Sequence, residues 1–119
     1  MINRVVLVGR LATDSEFRYA RDGLAISAFS LAIGRGESGA DFLPVVAFRR
    51  LAEATYRYLR KGRLVGVEGR LASRTFDTSE GEQRRVIEVV ADRLRFLDPP
   101  IALGEESPQP DAPADAQQG

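Results

Sequence analysis

Cysteine and histidine are both missing from the 119 residues. No disulfide, thiolate zinc site, cysteine nucleophile or histidine general base can therefore form. Tryptophan is missing too, and lysine occurs once, at Lys61, against 16 arginines. No stretch approaches the roughly 18 consecutive apolar residues of a membrane-spanning helix. The opening residues, MINRVVLVGR, place two arginines inside a strand-like pattern and do not resemble a secretory leader. A soluble cytoplasmic protein with no membrane partner is expected. Nothing suggests an enzyme or a cofactor. The carboxylates Asp41, Glu53 and Glu68 belong to no recognisable constellation, and GRGESG lacks the Lys-Ser/Thr of a phosphate-binding loop.

What is present is charged and unevenly spread. The chain carries 17 basic and 17 acidic residues and is formally neutral. Every basic residue lies between Arg4 and Arg95, whereas Glu105, Glu106, Asp111 and Asp115 lie beyond residue 98. The body is thus net basic by four charges and the remainder acidic by four. A basic body implies an anionic partner. Arginine forks match phosphate oxygens and stack on flat rings. A G·C-rich genome produces the same arginine bias, so composition alone does not decide between the two.

Along the chain, INRVVLVGRLA (2–12) has the Val/Leu/Ile content of a strand, with Gly9 marking a bulge or close approach. ATDSEFRYARDG is polar and holds an Asp-Gly turn signal. LAISAFSLAIG (24–34) is a second strand, and the Gly-rich connection after it implies a hairpin to a third, ADFLPVVAF. From Arg50 to Lys61 the apolar period becomes helical: Leu51, Ala54, Thr55, Tyr58 and Leu59 share a face, and Gly62 stops the helix. Residues 63–76 and 84–97 are two further strands. Beyond Asp98 five of the six prolines occur among Glu, Asp, Gln and Ala, so residues 99–119 are expected to be a disordered Pro-rich acidic tail on a 1–98 domain.

Five strands with a helix between the third and fourth fit an all-β, five-stranded Greek-key barrel, the OB-fold. Glycines at 9, 66 and 69 fit strands that must kink. A split β-sandwich with one added helix is the alternative.

The third strand is apolar on both faces. Leu43, Val45 and Ala47 share one; Phe42, Pro44, Val46 and Phe48 share the other. A strand buried on both sides is the ordinary explanation for such a phenylalanine pair. Pro44 argues against it, because proline lacks a ladder donor and belongs at an edge or bulge. OB-folds that bind single strands of nucleic acid combine a basic groove with outward-facing rings on which bases stack. Phe42 and Phe48 meet that requirement if Leu43, Val45 and Ala47 fill the barrel. Phe76 follows Arg74 at the end of the fourth strand. Phe29, Tyr56, Tyr58 and Phe96 are assigned to packing; Phe17 and Tyr19 are left open.

NRVVLVGRL (3–11), EFRYARDGLAISAFSLA (16–32), ADFLPVVAFRRLAE (40–53), YLRKGRLVGVEGRLASRTF (58–76) and EVVADRLRFL (88–97) together resemble the bacterial single-stranded DNA-binding proteins, the SSB family. The resemblance spans nearly all of residues 1–98. It implies sequence-independent binding and protection of single-stranded DNA in replication, recombination and repair, usually by a homotetramer, with a nucleoid-associated location. It implies stacking at Phe42, Phe48 and Phe76, where the family commonly has tryptophan at the first and third. Arg4, Arg10, Arg50, Arg74 and Arg84 fall at or near positions suited to backbone contact. The hairpin between strands two and three is shorter than is usual in the family, and Arg35 is its only residue suited to approach DNA. The family's tail ends in an acidic tip with a closing phenylalanine that recruits replication and repair proteins. This chain ends DAPADAQQG, which puts such recruitment in question. The nearest alternative is a replication-accessory OB protein of the primosomal type, usually dimeric; a second is an OB interaction module with no nucleic-acid role.

Overall fold

The computed structural model describes residues 1–99 and the backbone of Ala112–Pro113. Its strands are β1 (Val5–Leu11), β2 (Glu16–Tyr19), β3 (Ala25–Gly34), β4 (Ala40–Phe48), β5 (Leu64–Asp77), β6 (Gln83–Phe96) and β7 (Ala112–Pro113). One helix, α1 (Arg49–Thr55), lies between β4 and β5. The strand order is β1-β5-β6-β4-β3-β2, and β1 also pairs with β3 through Arg10–Ala32 and Leu11–Leu31. Five strands thus form a closed ring, the OB barrel expected, and β2 is added outside it on β3. No helix among the described residues is long and apolar enough to cross a membrane. Of the segment expected to be a disordered tail, Ala112–Pro113 forms β7, which pairs antiparallel with Leu94 and Arg93 of β6. The remainder beyond Pro99 lies outside the described residues.

Alternation fills the barrel. Along β3, Ala25, Ser27, Phe29 and Leu31 are buried, while each residue between them is partly exposed. Val45 and Ala47 of β4, Val65 and Val67 of β5, and Val89 and Leu94 of β6 meet them, and α1 adds Leu51 and Ala52. Two glycines are required by close backbone approach. A Cβ on Gly9 would run into the carbonyl oxygen of Ala32 at the closure, and one on Gly69 into that of Val90. Gly69 adjoins the register shift between β5 and β6. Gly66 differs: a Cβ there would make only ordinary contacts, at 3.6 Å and beyond.

Three local departures have physical causes. The polar segment after β1 contains a strand, β2. Its four residues alternate, with Phe17 and Tyr19 paired to the buried Ser27 and Ala25, and Glu16 and Arg18 on the other face. The helix expected over 50–61 ends at Thr55 and tightens into a 3₁₀ turn over Tyr56–Tyr58. Hydrogen bonds from the β1–β2 connection take carbonyls there: Ser15 Oγ donates to Tyr56 O (2.8 Å) and Ser15 N–H to Leu59 O (2.9 Å). Ala54, expected on the apolar face, is exposed, and Gly62, at φ 93°, turns the chain into β5 rather than stopping a helix. Arg63, expected at the start of a strand, is completely buried.

Arg63 links the end of β6 to the start of β5. Its Nε donates to Asp98 Oδ1 (2.9 Å) and its Nη1 to Tyr58 O (3.3 Å), and its Cζ lies 4.8 Å from the Phe96 ring centroid. Asp98 also accepts the Leu64 amide proton (3.2 Å). Burial alone would raise the Asp98 carboxyl. The Leu64 amide and the Arg63 guanidinium outweigh that effect and hold it below the ordinary aspartate value.

Two stability predictions follow. Gly69→Ala lowers stability by about 1–3 kcal/mol through overpacking, whereas Gly66→Ala stays within about 0.5 kcal/mol of wild type; thermal melts compare them. Asp98→Asn removes the counter-charge of a buried arginine and costs roughly 2–3 kcal/mol at neutral pH. Because the native Asp98 value is depressed, its contribution is full above the unfolded value of about 3.9 and is lost as pH falls through the native one. Melts from pH 7 downward therefore show the gap between wild type and Asp98→Asn narrowing in acid.

Candidate functional site

Because the ring is closed, the second face of β4 lies outside it. Phe42 is 63 % exposed there, Pro44 is exposed, and Phe48 is half-buried. Val46 stands beside Val90 in a short parallel pairing and is shielded. Six residues of extended strand separate the two rings by about 20 Å. Pro44 fits without losing a hydrogen bond. Its partner in register, Ser30, turns both backbone groups away from β4: Ser30 N–H donates to Thr13 Oγ1 and Ser30 O accepts from Ala12 N–H. The pair is therefore of the non-hydrogen-bonded kind, and a donor at 44 would point away from β3. On that side, the pairing with β6 covers only Val45 and Val46.

Two adjoining depressions of about 360 and 350 Å³ run along this face. Phe42 and Pro44 line one, Val46 and Phe48 the other, and both share Glu16 of β2, Ala28 of β3, Arg74 of β5 and Glu88 of β6. Together they make one groove with an aromatic ring toward each end. Arg74 Nε lies 2.6 Å from Glu88 Oε1, and Arg74 Cζ is 5.7 Å from the Phe76 centroid. Phe76, 43 % exposed, pairs in register with Arg84 farther along the β5–β6 hairpin. Alternation puts Arg74, Phe76, Arg84 and Glu88 on one face of that hairpin.

The groove thus brings together Phe42, Phe48 and Arg74, with Phe76 and Arg84 on the adjoining arm. Arg50 lies just past Phe48 in a shallow cleft at the start of α1. Arg35 folds onto its own hairpin, with Nε 3.5 Å from Asp41 Oδ1 and Nη2 donating to Ser38 O (3.0 Å). Two expected residues are engaged elsewhere. Arg4 is held between Glu68 (3.1 Å) and Asp92 (3.3 Å), and Arg10 Nη1 donates to Gly62 O (2.9 Å). None of their partners lines the groove.

Glu16 and Glu88 were not singled out from the sequence. Alternation within EVVAD and EFRY places them on outer faces, but only the barrel sets those faces opposite one another. Phe17 packs against the core and stacks on Tyr56 at a centroid distance of 4.0 Å. Tyr19 is exposed, and its hydroxyl donates to Glu53 Oε2 (3.2 Å), which raises the phenol above its ordinary value. Chemically, the groove offers flat apolar surfaces with cations at its rim, and no nucleophile paired with a base.

Residues 2–97 match the model of the single-strand binding protein family. A single-stranded DNA-binding protein of Caldanaerobacter subterraneus subsp. tengcongensis is 44 % identical over 113 residues, covering 90 % of this chain and 75 % of that protein. One from Halalkalibacterium halodurans is 47 % identical over 105 residues, covering 83 % of this chain and 62 % of that protein. Among solved structures, the Plasmodium falciparum SSB complex with ssDNA superposes with a TM-score of 0.71 at 26 % identity, covering 82 % of this chain and 96 % of that one. With a family match over residues 2–97, a closed OB barrel and an aromatic-lined outer groove, the chain belongs to the single-strand binding protein family.

Proposed function

We propose that residues 1–98 bind single-stranded DNA with little regard to sequence and protect it during replication, recombination and repair. The observation that carries this is the exposure of the Phe42 ring on the outer face of a barrel strand, in one groove with Phe48 and Arg74. A core phenylalanine would be shielded. Every base has a π-face, so stacking on Phe42, Phe48 and Phe76 selects unpaired bases without reading them. Duplex DNA hides those faces. Arg74, Arg84, Arg50 and Arg35 supply phosphate contacts, and release of counterions provides much of the affinity. The relatives' names and the nucleic acid in the Plasmodium structure support the same reading.

Two separate apolar surfaces support a homotetramer. On the outside of β1, Val6 and Val8 are exposed, with Leu97 packed against Gly66 of the adjoining strand. Arg4, Glu68 and Asp92 form an ion-pair cluster on the same side. At the root of the β5–β6 hairpin, Leu71 and Ile87 are exposed as diagonal neighbours. Asn3 bonds the backbone of Leu71 in both directions (2.9 Å each), which brings exposed Ile2 alongside. A tetramer of dihedral symmetry uses two different two-fold interfaces, and two patches match that requirement. Several barrels in one assembly let a strand wrap and gain avidity.

Titration with dT oligomers of increasing length at two salt concentrations tests the binding. Affinity falls steeply with salt, and Phe42→Ala costs about 1–3 kcal/mol of binding while changing stability by no more than about 0.5 kcal/mol. A variant that melts early with no separate binding defect would instead make Phe42 a packing residue. Light scattering of the full chain is expected to give the mass of four chains, reduced by Val8→Glu. A wild-type mass of two chains would refute the tetramer and favour the primosomal-type alternative.

A further inference from the structure

β4 ends at Phe48 in ordinary extended backbone, φ −127° and ψ 158°. The next residue, Arg49, has φ 59°. Among the described residues it alone is a non-glycine with positive φ; the other five positions of that kind are Gly23, Gly36, Gly39, Gly62 and Gly81. Glycine adopts this conformation without steric cost, whereas a residue with a Cβ does not. Such strain concentrates at sites that use the strained residue.

The position of Arg49 says what the use is. Ile26–Phe48 is the last pair of the β3–β4 ladder, and both residues line the Phe48 end of the groove. The next residues on each strand, Leu24 and Ala25 on one side and Arg49 and Arg50 on the other, line a shallow cleft with Asp22, Gly23 and Glu53. The cleft therefore continues the groove past Phe48.

Its carboxylates already have partners. Asp22 Oδ1 accepts the Leu24 amide proton (3.1 Å), and Glu53 accepts the Tyr19 hydroxyl proton (3.2 Å). Its two guanidinium groups have none among the described residues, and both side chains are exposed. Arg74, by contrast, is paired with Glu88. Cations without partners, set where a bound strand leaves its last stacking ring, fit a phosphodiester.

We propose that Arg49 binds a backbone phosphate of the strand where it passes out of the groove beyond Phe48. With this left-handed backbone, Arg49 lines the wall of the cleft. The proposal rests on the single-strand reading above. It adds an exit contact at a residue that the resemblance does not assign.

The test compares full-length wild type, Arg49→Gly and Arg49→Lys. Each is titrated with fluorescein-labelled dT oligomer over a salt series and melted without DNA. Arg49→Gly relieves the backbone strain, so it melts at the wild-type temperature or higher. It binds several-fold more weakly, and its plot of log K against log salt is less steep by about 0.7, the value of one phosphate contact on a single strand. Arg49→Lys keeps the charge and the wild-type slope. Wild-type affinity and slope in Arg49→Gly would overturn the proposal while leaving the single-strand reading intact. A lower melting temperature with an unchanged slope would also overturn it, by making Arg49 a structural residue. Failure of wild type to bind dT at low salt would instead remove the single-strand reading, and the proposal with it.

Discussion

The pairing of Arg10 and Leu11 with Ala32 and Leu31 turns a curved sheet into a ring. Closure pairs the edges of the five ring strands and gives each of them an inner and an outer face. It depends on backbones passing close enough that Gly9 has no room for a Cβ beside the Ala32 carbonyl. Everything functional in the fold follows from that division. With Val45 and Ala47 spent on the interior, the outer side chains of β4 are left to the surface, and two phenylalanine rings stand at a groove instead of in a second core layer. An open sandwich built from the same strands would have covered them.

The groove's electrostatics are balanced rather than simply basic. Arg74 is paired with Glu88, and Glu16 of β2 lines the same groove. A phosphate approaching Arg74 must compete with a carboxylate already bound at 2.6 Å. Rings therefore provide the uncontested surface toward the two ends of the groove, while arginines without carboxylate partners lie past Phe48. Arg63 and Asp98 follow the opposite rule. A guanidinium with no access to water needs a fixed counter-charge, so Arg63 and the partly exposed Asp98 tie the ends of β5 and β6 together.

Much of this was legible in one sequence. The five barrel strands and the helix between the third and fourth could be read from periods of two and of about 3.6; of the expected inward set Leu43, Val45 and Ala47, the last two are buried in the barrel, whereas Leu43 is partly exposed and outside the core. What escaped reading was decided by partners distant in sequence. β2 was hidden because four residues of EFRY carry too short an alternation to stand out from a polar loop. The helix ends at Thr55 and not at Lys61 because propensity does not register Ser15, which takes the Tyr56 and Leu59 carbonyls from across the fold. Pro44 looked like a marker of an edge or bulge. It is neither for β3: it occupies a position whose amide would have faced away from that strand. Arg4 and Arg10 looked available for phosphate until Glu68, Asp92 and Gly62 were brought beside them.

The sequence by itself determined which residues alternate, where the chain turns, and that flat rings and arginines recur near one another along it. Those are local properties, set by side-chain type and the repeat of helix or strand. The tertiary structure decided which face of β4 is outside, which arginines are neutralised, and that Phe42, Phe48, Arg74 and Glu88 border one groove. It also decided that Arg49 is strained, because only the packed junction of β4 and α1 forces a left-handed turn on a residue that has a Cβ. Availability for binding depends on burial and on charges brought in from other strands, and neither is a property of any short stretch of chain.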